Sequence, residues 1–264
     1  MPNFAANLTM MFTERDFLDR FQAAADAGFQ AVEFLFPYDH PADQIAERLR
    51  RNGLTQALFN LPPGDWQAGE RGLAALPHRR DDFRASVSRA LDYAGTLGVA
   101  RLHMMAGLAD PDDPTAQAAY ESAALFAAER CAEQHINLLL EPINTRSVPG
   151  YFLRDFNTAA RLIADWNRPN LRLQFDVFHR QIIHGDVTIG LQEMLPITDH
   201  IQIASVPNRH EPDGGELNYA HVFRTLDQAG YQGYVGCEYT PRNGTLEGLG
   251  WFAPYGGGAP SSTP

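Results

Sequence analysis

The sequence predicts a (β/α)8 barrel, and three observations carry that expectation. The chain has 264 residues, close to the roughly 250 that eight β/α units need. Eight short apolar runs alternate with longer helix-like stretches, as strands covered on both faces alternate with the helices that cover them. No GxGxxG follows a strand, which disfavours the open doubly wound sheet.

Taken in order, residues 4–7 read as the first strand. Residues 13–27 follow as a helix, with Thr13 offered as its cap and Gly28 as its stop. The second strand is 31–34, and the helix after it, 41–51, opens on Pro41 and stops before Asn52 and Gly53. The third strand is 56–60. Residues 61–77 then form the longest irregular stretch, with PPGDWQAGERG inside it, and a loop of that length on a barrel reads as a lid or binding loop. The helix 80–97 carries apolar residues at helical spacing and stops at Gly98. Strand 101–105, the Ala-rich helix 115–134 and strand 137–141 come next. Helix 158–166 and strand 171–175 follow. A weaker helical pattern spans 187–195, then strand 200–203, helix 219–229 and strand 234–237. Residues 1–255 are expected to form one barrel domain, and the Gly-, Pro- and Ser-rich stretch 256–264 a disordered tail.

Composition removes several function classes. All 21 basic residues are Arg. Schiff-base and pyridoxal-phosphate chemistry and the P-loop each need a Lys, so all three are excluded. The net charge of −11 argues against a nucleic-acid partner. No apolar run reaches the roughly 18 residues of a membrane span, and no leader-like segment opens the chain. With only two cysteines, Cys131 and Cys237, the expected setting is the reducing cytoplasm.

In this fold, chemistry sits where strands end. The fifth to eighth strands deliver Glu141, Asp176, Gln202 and Glu238 to one rim. Each alone could pair with a rim arginine, but four oxygen-bearing side chains on consecutive strands is more than that explains. Such hard oxygen donors suit Mg2+ or Mn2+ better than Zn2+. His179, expected in a loop three residues after Asp176, and Arg209, in VPNRHEPDGGE, are placed to reach the same pocket. Glu33 and His103 face that rim too, with packing roles as their plain alternative.

These stretches, with AVEFLFPY, PPGDWQAGERG, LEPIN, QFDVFH, HIQIA, RHEPDGGELNY and GYVGCEY, resemble the hydroxypyruvate isomerase family of the xylose-isomerase-like barrels. The closely similar 2-oxo-tetronate isomerases share RHEPD and the GLGWF ending. The resemblance implies that Glu141 and Glu238 are catalytic and also bind metal, with Asp176 and Gln202 as the other ligands. His179 and Arg209 match substrate contacts of the related ketose 3-epimerases. Those epimerases and the related metal nucleases carry His where this chain has Gln202, which moves the reading away from both.

The implied reaction converts hydroxypyruvate to tartronate semialdehyde by proton transfer through an enediolate beside a divalent ion. Arg209 would read the substrate carboxylate and His179 the carbonyl oxygen. A 2-oxo-tetronate isomerase, a ketose 3-epimerase and a non-catalytic sugar-acid-binding barrel remain as alternatives. The expected partner is a small molecule, with no nucleic acid and no membrane; a homo-oligomer stays open.

Overall fold

The computed structural model describes residues 1–256. Its elements run β1 (Asn3–Asn7), α1 (Phe17–Asp26), β2 (Ala31–Glu33), α2 (Ala42–Asn52), β3 (Thr55–Asn60), α3 (Arg80–Leu97), β4 (Arg101–His103) and α4 (Pro114–Ala132). They continue with β5 (Asn137–Leu140), α5 (Phe156–Trp166), β6 (Leu171–Asp176), α6 (Val177–Ile183), α7 (Val187–Met194), β7 (Thr198–Ile203), α8 (Tyr219–Gln228) and β8 (Tyr234–Cys237). The eight strands are parallel and close in chain order, β8 pairing with β1. The barrel is therefore the one the sequence predicts, with strand ends displaced by no more than two residues.

Local chemistry explains most boundaries. Asp113 and Asp155 accept backbone N–H groups at the starts of α4 and α5. Gly53 and Gly98 end α2 and α3 in the left-handed conformation that glycine adopts without strain. Three sequence expectations fail here. The first helix starts at Phe17, not Thr13, because Glu14 binds the Thr245 backbone N–H at 2.7 Å and Thr245 Oγ1 accepts from Phe12 N. That long-range contact outweighs the local capping signal. The second is α6, which begins directly after β6 because the Asp176 side chain caps it at Phe178 N, 2.8 Å away. His179 is therefore on a helix rather than in a loop. The third is the last unit: after β8 the chain makes only 3-10 turns at Glu247–Trp251 and Ala253–Tyr255. Their rings Trp251, Phe252 and Tyr255 pack edge-on around Phe4. Gly256 ends the second turn, and the rest of the expected tail lies outside the described residues.

The barrel interior is layered. At the N-terminal mouth Arg101 pairs with Asp199 at 2.9 Å, and Asn137 Nδ2 donates to Asp199 at 2.8 Å. Ala5, Ala31 and Ala57 pack together with Tyr234 against them, small enough to leave room for what lies above. Above them sits a buried polar layer of Asn7, Glu33, Gln174, His200 and Gln202. The large apolar side chains, Phe21, Ile45, Leu102, Phe156 and Phe175 among them, fill the ring between strands and helices. Among the described residues no helix is long and apolar enough to cross a membrane.

The 61–77 loop is folded onto the rim at β4. Gly72 makes an antiparallel bridge to Ala106, and Ala75 N donates to Ala106 O at 2.8 Å. Gly72 has φ 112°, and a Cβ there would lie 2.3 Å from Met105 O, so only glycine fits. Arg71 lies 3.8 Å over the Trp66 ring, which itself packs on Phe36.

Candidate active site

Register explains how the strand-end residues meet. Asp176 pairs with Gln202 across β6 and β7, and Gln202 with Gly236 across β7 and β8. Glu238 stands two residues beyond Gly236, on the same face. Glu141 follows the last residue of β5. All four side chains are buried.

The structure brings together Glu141, Asp176, His179, Arg209 and Glu238. Arg209 forms a close ion pair with Glu238 and reaches Asp176 Oδ2 at 3.4 Å. His179 Nε2 lies 3.4 Å from Asp176 Oδ2 and 3.9 Å from Glu141 Oε1. Because Asp176 commits Oδ1 to capping α6, it turns Oδ2 into the site. Arg209 holds φ 56°, an unfavourable backbone conformation for a side chain of its kind. Its peptide is fixed there by N–H donation to Ser205 O at 2.8 Å and by acceptance from Thr240 N at 2.9 Å.

Gln202 stands apart from the charged cluster. Its Oε1 accepts from Gln174 Nε2 at 2.6 Å, and its Nε2 donates to Glu33 Oε1 at 2.8 Å.

Glu141, Asp176 and His179 each offer a ligand atom, all within 4.8 Å of one another. The tautomer of His179 argues that its ring is a donor rather than a ligand. The Asn144 backbone N–H, 3.2 Å away, and its side-chain Nδ2, 2.6 Å away, both point at Nδ1. Asn144 cannot turn its oxygen there instead, since Oδ1 accepts from Ser147 N at 2.8 Å. Nδ1 is thus an acceptor, and the proton sits on Nε2, aimed into the site. His103 Nδ1 faces Asn60 Oδ1 at 3.2 Å, and its Nε2 lies 3.5 Å from Glu141 Oε2.

Burial shapes the charges. It holds the Glu141 carboxyl well above its ordinary range, with Glu238 and Asp176 adding repulsion. Glu238 is pushed up to about 8 by burial, against the pull of Arg209. Asp176 is raised for the same first reason. Burial keeps His179 well below its usual pKa and lowers His103 to about 3, so both rings are neutral. Burial also opposes the Arg209 charge, but Glu238, Asp176 and Glu141 more than offset it.

Among the described residues Glu141 Oε1 and His103 Nε2 are buried polar atoms without a hydrogen-bond partner. Such groups call for a cation or a donating ligand between them. Three acidic side chains share one arginine, so the donor set fits a divalent ion that would displace their protons.

Sequence reasoning missed Asn144, Gln174 and His200. Gln174 and His200 stand two residues before Asp176 and Gln202, so strand alternation places them on the same inward face.

Comparison with known proteins agrees with this fold. The family model described as xylose isomerase-like TIM barrel matches residues 21–255. A 2-oxo-tetronate isomerase of Cupriavidus necator is 55% identical over 97% of this chain and 99% of its own. The hydroxypyruvate isomerase of Escherichia coli is 40% identical over 97% of this chain and 100% of its own. A crystal structure titled AP endonuclease, family 2, from Brucella melitensis superposes with a TM-score of 0.95 at 51% identity, covering 97% of this chain and 99% of that one. The chain therefore belongs to the xylose isomerase-like TIM-barrel family and, within it, to the group that holds the 2-oxo-tetronate and hydroxypyruvate isomerases.

Proposed function

We propose that this isomerase moves the carbonyl of a small 2-oxo hydroxy acid from C2 to C3, with Glu141 and Glu238 as its acid–base pair. The observation that carries the reading is the pair itself: two buried carboxyls, both raised in pKa, on one rim beside a fixed arginine. Groups that hold a proton near neutral pH are suited to give and take one.

For hydroxypyruvate, one glutamate takes the proton from C3 and one proton is returned to C2. The C3 hydroxyl loses its proton and the C2 oxygen gains one, so the product is the isomeric aldehyde acid. The enediolate between them carries an extra negative charge. His179 Nε2–H is a neutral donor for the substrate oxygen at that stage. Arg209 offers its planar fork to the substrate carboxylate, which competes with Glu238 for it and frees that side chain for proton transfer. Mg2+ or Mn2+, held by Glu141, Asp176, Glu238 and the Gln202 oxygen, would supply Lewis-acid stabilisation of that charge.

The higher identity to the 2-oxo-tetronate isomerase, 55% against 40%, favours the four-carbon acid over hydroxypyruvate as the better substrate. A panel of C3 to C6 keto acids and neutral ketoses, assayed with and without divalent metal, tests this. We expect metal-dependent turnover of 2-oxo acids and none of ketoses; the reverse selectivity would make the chain a ketose 3-epimerase.

The Brucella structure, described as an AP endonuclease, suggests a further competing reading. A net charge of −11 opposes binding to a phosphate backbone. We expect no retention on heparin at low salt, and retention with cleavage of abasic DNA would overturn this. The two cysteines, both buried and unpaired, support placement in a reducing cytoplasm.

A further inference from the structure

We propose that Glu33 is a positioning residue that fixes which end of the Gln202 amide faces the metal site. The proposal rests on the metal-dependent reading above.

Glu33 projects from β2 across the barrel to β7. Its carboxylate is 1% exposed and accepts three hydrogen bonds: from Asn7 Nδ2 at 3.0 Å, Gln202 Nε2 at 2.8 Å and His200 Nε2 at 2.6 Å. The space for it is reserved by Gly236 on β8, where a Cβ would stand 2.1 Å from Glu33 Oε2. The seat is thus defined from three strands besides its own.

The consequence falls on Gln202. A primary amide has an acceptor on one side and donors on the other. With Nε2 turned to Glu33, Oε1 must turn away, towards β6. Flipped, the amide would set its oxygen 2.8 Å from a carboxylate oxygen, acceptor against acceptor. The order then propagates. Gln202 Oε1 receives Gln174 Nε2 at 2.6 Å. One lone pair of Gln202 Oε1 remains for a ligand bond. Glu33 therefore makes Gln202 an oxygen donor instead of an NH2 face that would repel a cation.

The test measures Mn2+ affinity, by electron paramagnetic resonance of the free ion, with no substrate present. Three variants are compared with wild type, each checked by circular dichroism. E33D keeps the charge but is too short to reach Gln202. E33Q fills the seat but lets the neighbouring amide settle either way. E33Q/Q202E places an oxygen on both sides of position 202. We expect E33D and E33Q each to lose about 10- to 100-fold in Mn2+ affinity, the usual cost of removing a group that orients a ligand. E33Q/Q202E should return to within about threefold of wild type, since orientation no longer matters. Wild-type affinity in folded E33D or E33Q, or no recovery in the double variant, would overturn the proposal while leaving the metal site standing. A wild-type protein that binds no Mn2+ would overturn the metal reading, and the proposal with it.

Discussion

Replacing Gly236 with alanine isolates the buried polar layer from the catalytic rim. The added Cβ would meet Glu33 Oε2 at 2.1 Å, Cδ at 2.4 Å and Oε1 at 2.5 Å. Ordinary contact needs about 3.4 Å or more, so the carboxylate must retreat by roughly 1 Å. A shift of that size takes contacts of 2.6, 2.8 and 3.0 Å out of hydrogen-bonding range together. Each hydrogen bond to a charged group is worth roughly 1.5–3 kcal/mol, but the three share one acceptor and are not additive. Leaving a buried charge uncompensated costs about 3–5 kcal/mol. At about 2–4 °C per kcal/mol for a chain of this size, Tm should fall by roughly 6–20 °C. The assay is calorimetric melting of the metal-free protein, with Gly250→Ala as control, because a Cβ at Gly250 meets nothing within 4 Å. Melting of Gly236→Ala within about 2 °C of wild type would refute the reasoning, since it would mean the layer repacks without loss.

Other expectations follow from the rim. Arg209→Ala should weaken binding of a 2-oxo acid by about 10- to 150-fold, the equivalent of roughly 1.5–3 kcal/mol, and binding of a neutral ketose of equal length far less; equal effects would mean that Arg209 does not read the carboxylate. Since burial holds Glu141 well above its usual range and Glu238 near about 8, metal binding at pH 7 should release protons and tighten as pH rises towards 8. Titration calorimetry in buffers of different ionisation heat reads the proton count, and a count of zero would contradict these assignments. In the same window the native state holds a proton that an unfolded glutamate, titrating near about 4.3, has already lost. The Glu238 contribution to the stability of the metal-free protein should therefore decline as pH rises from about 4.3 to 8, which melting across that range would test.

How far the sequence could be read depended on whether local or distant contacts decide. The strands were legible because two-sided burial makes each a compact apolar run between turn residues. Helix α3 matched residue for residue, as its stop at Gly98 is a local signal. Thr13 misled because its neighbour Glu14 is claimed by Thr245, 231 residues away. The rim residues were legible from one rule, a polar group closing a buried strand. The layer beneath was only partly so: Glu33 stood out as a strand end, whereas Gln174 and His200 lie mid-strand and are found only by counting back two residues from Asp176 and Gln202. The proton position on His179 was beyond any pattern, for it depends on Asn144 from another β/α unit.

The central claim is that Glu141 and Glu238 divide the proton transfers between them, and loss of the substrate C3 hydrogen to D2O measures this most directly. Glu141→Gln and Glu238→Gln keep the shape and one oxygen but cannot exchange a proton at neutral pH. At saturating metal each should lower turnover by roughly 10²–10⁴-fold with the fold intact. The two losses should not add, because either one breaks the same circuit. One variant should also stop C3 exchange, naming the base, while the other still permits it. Wild-type isomerisation by either variant at saturating metal would remove that glutamate from the proton path and contradict the account.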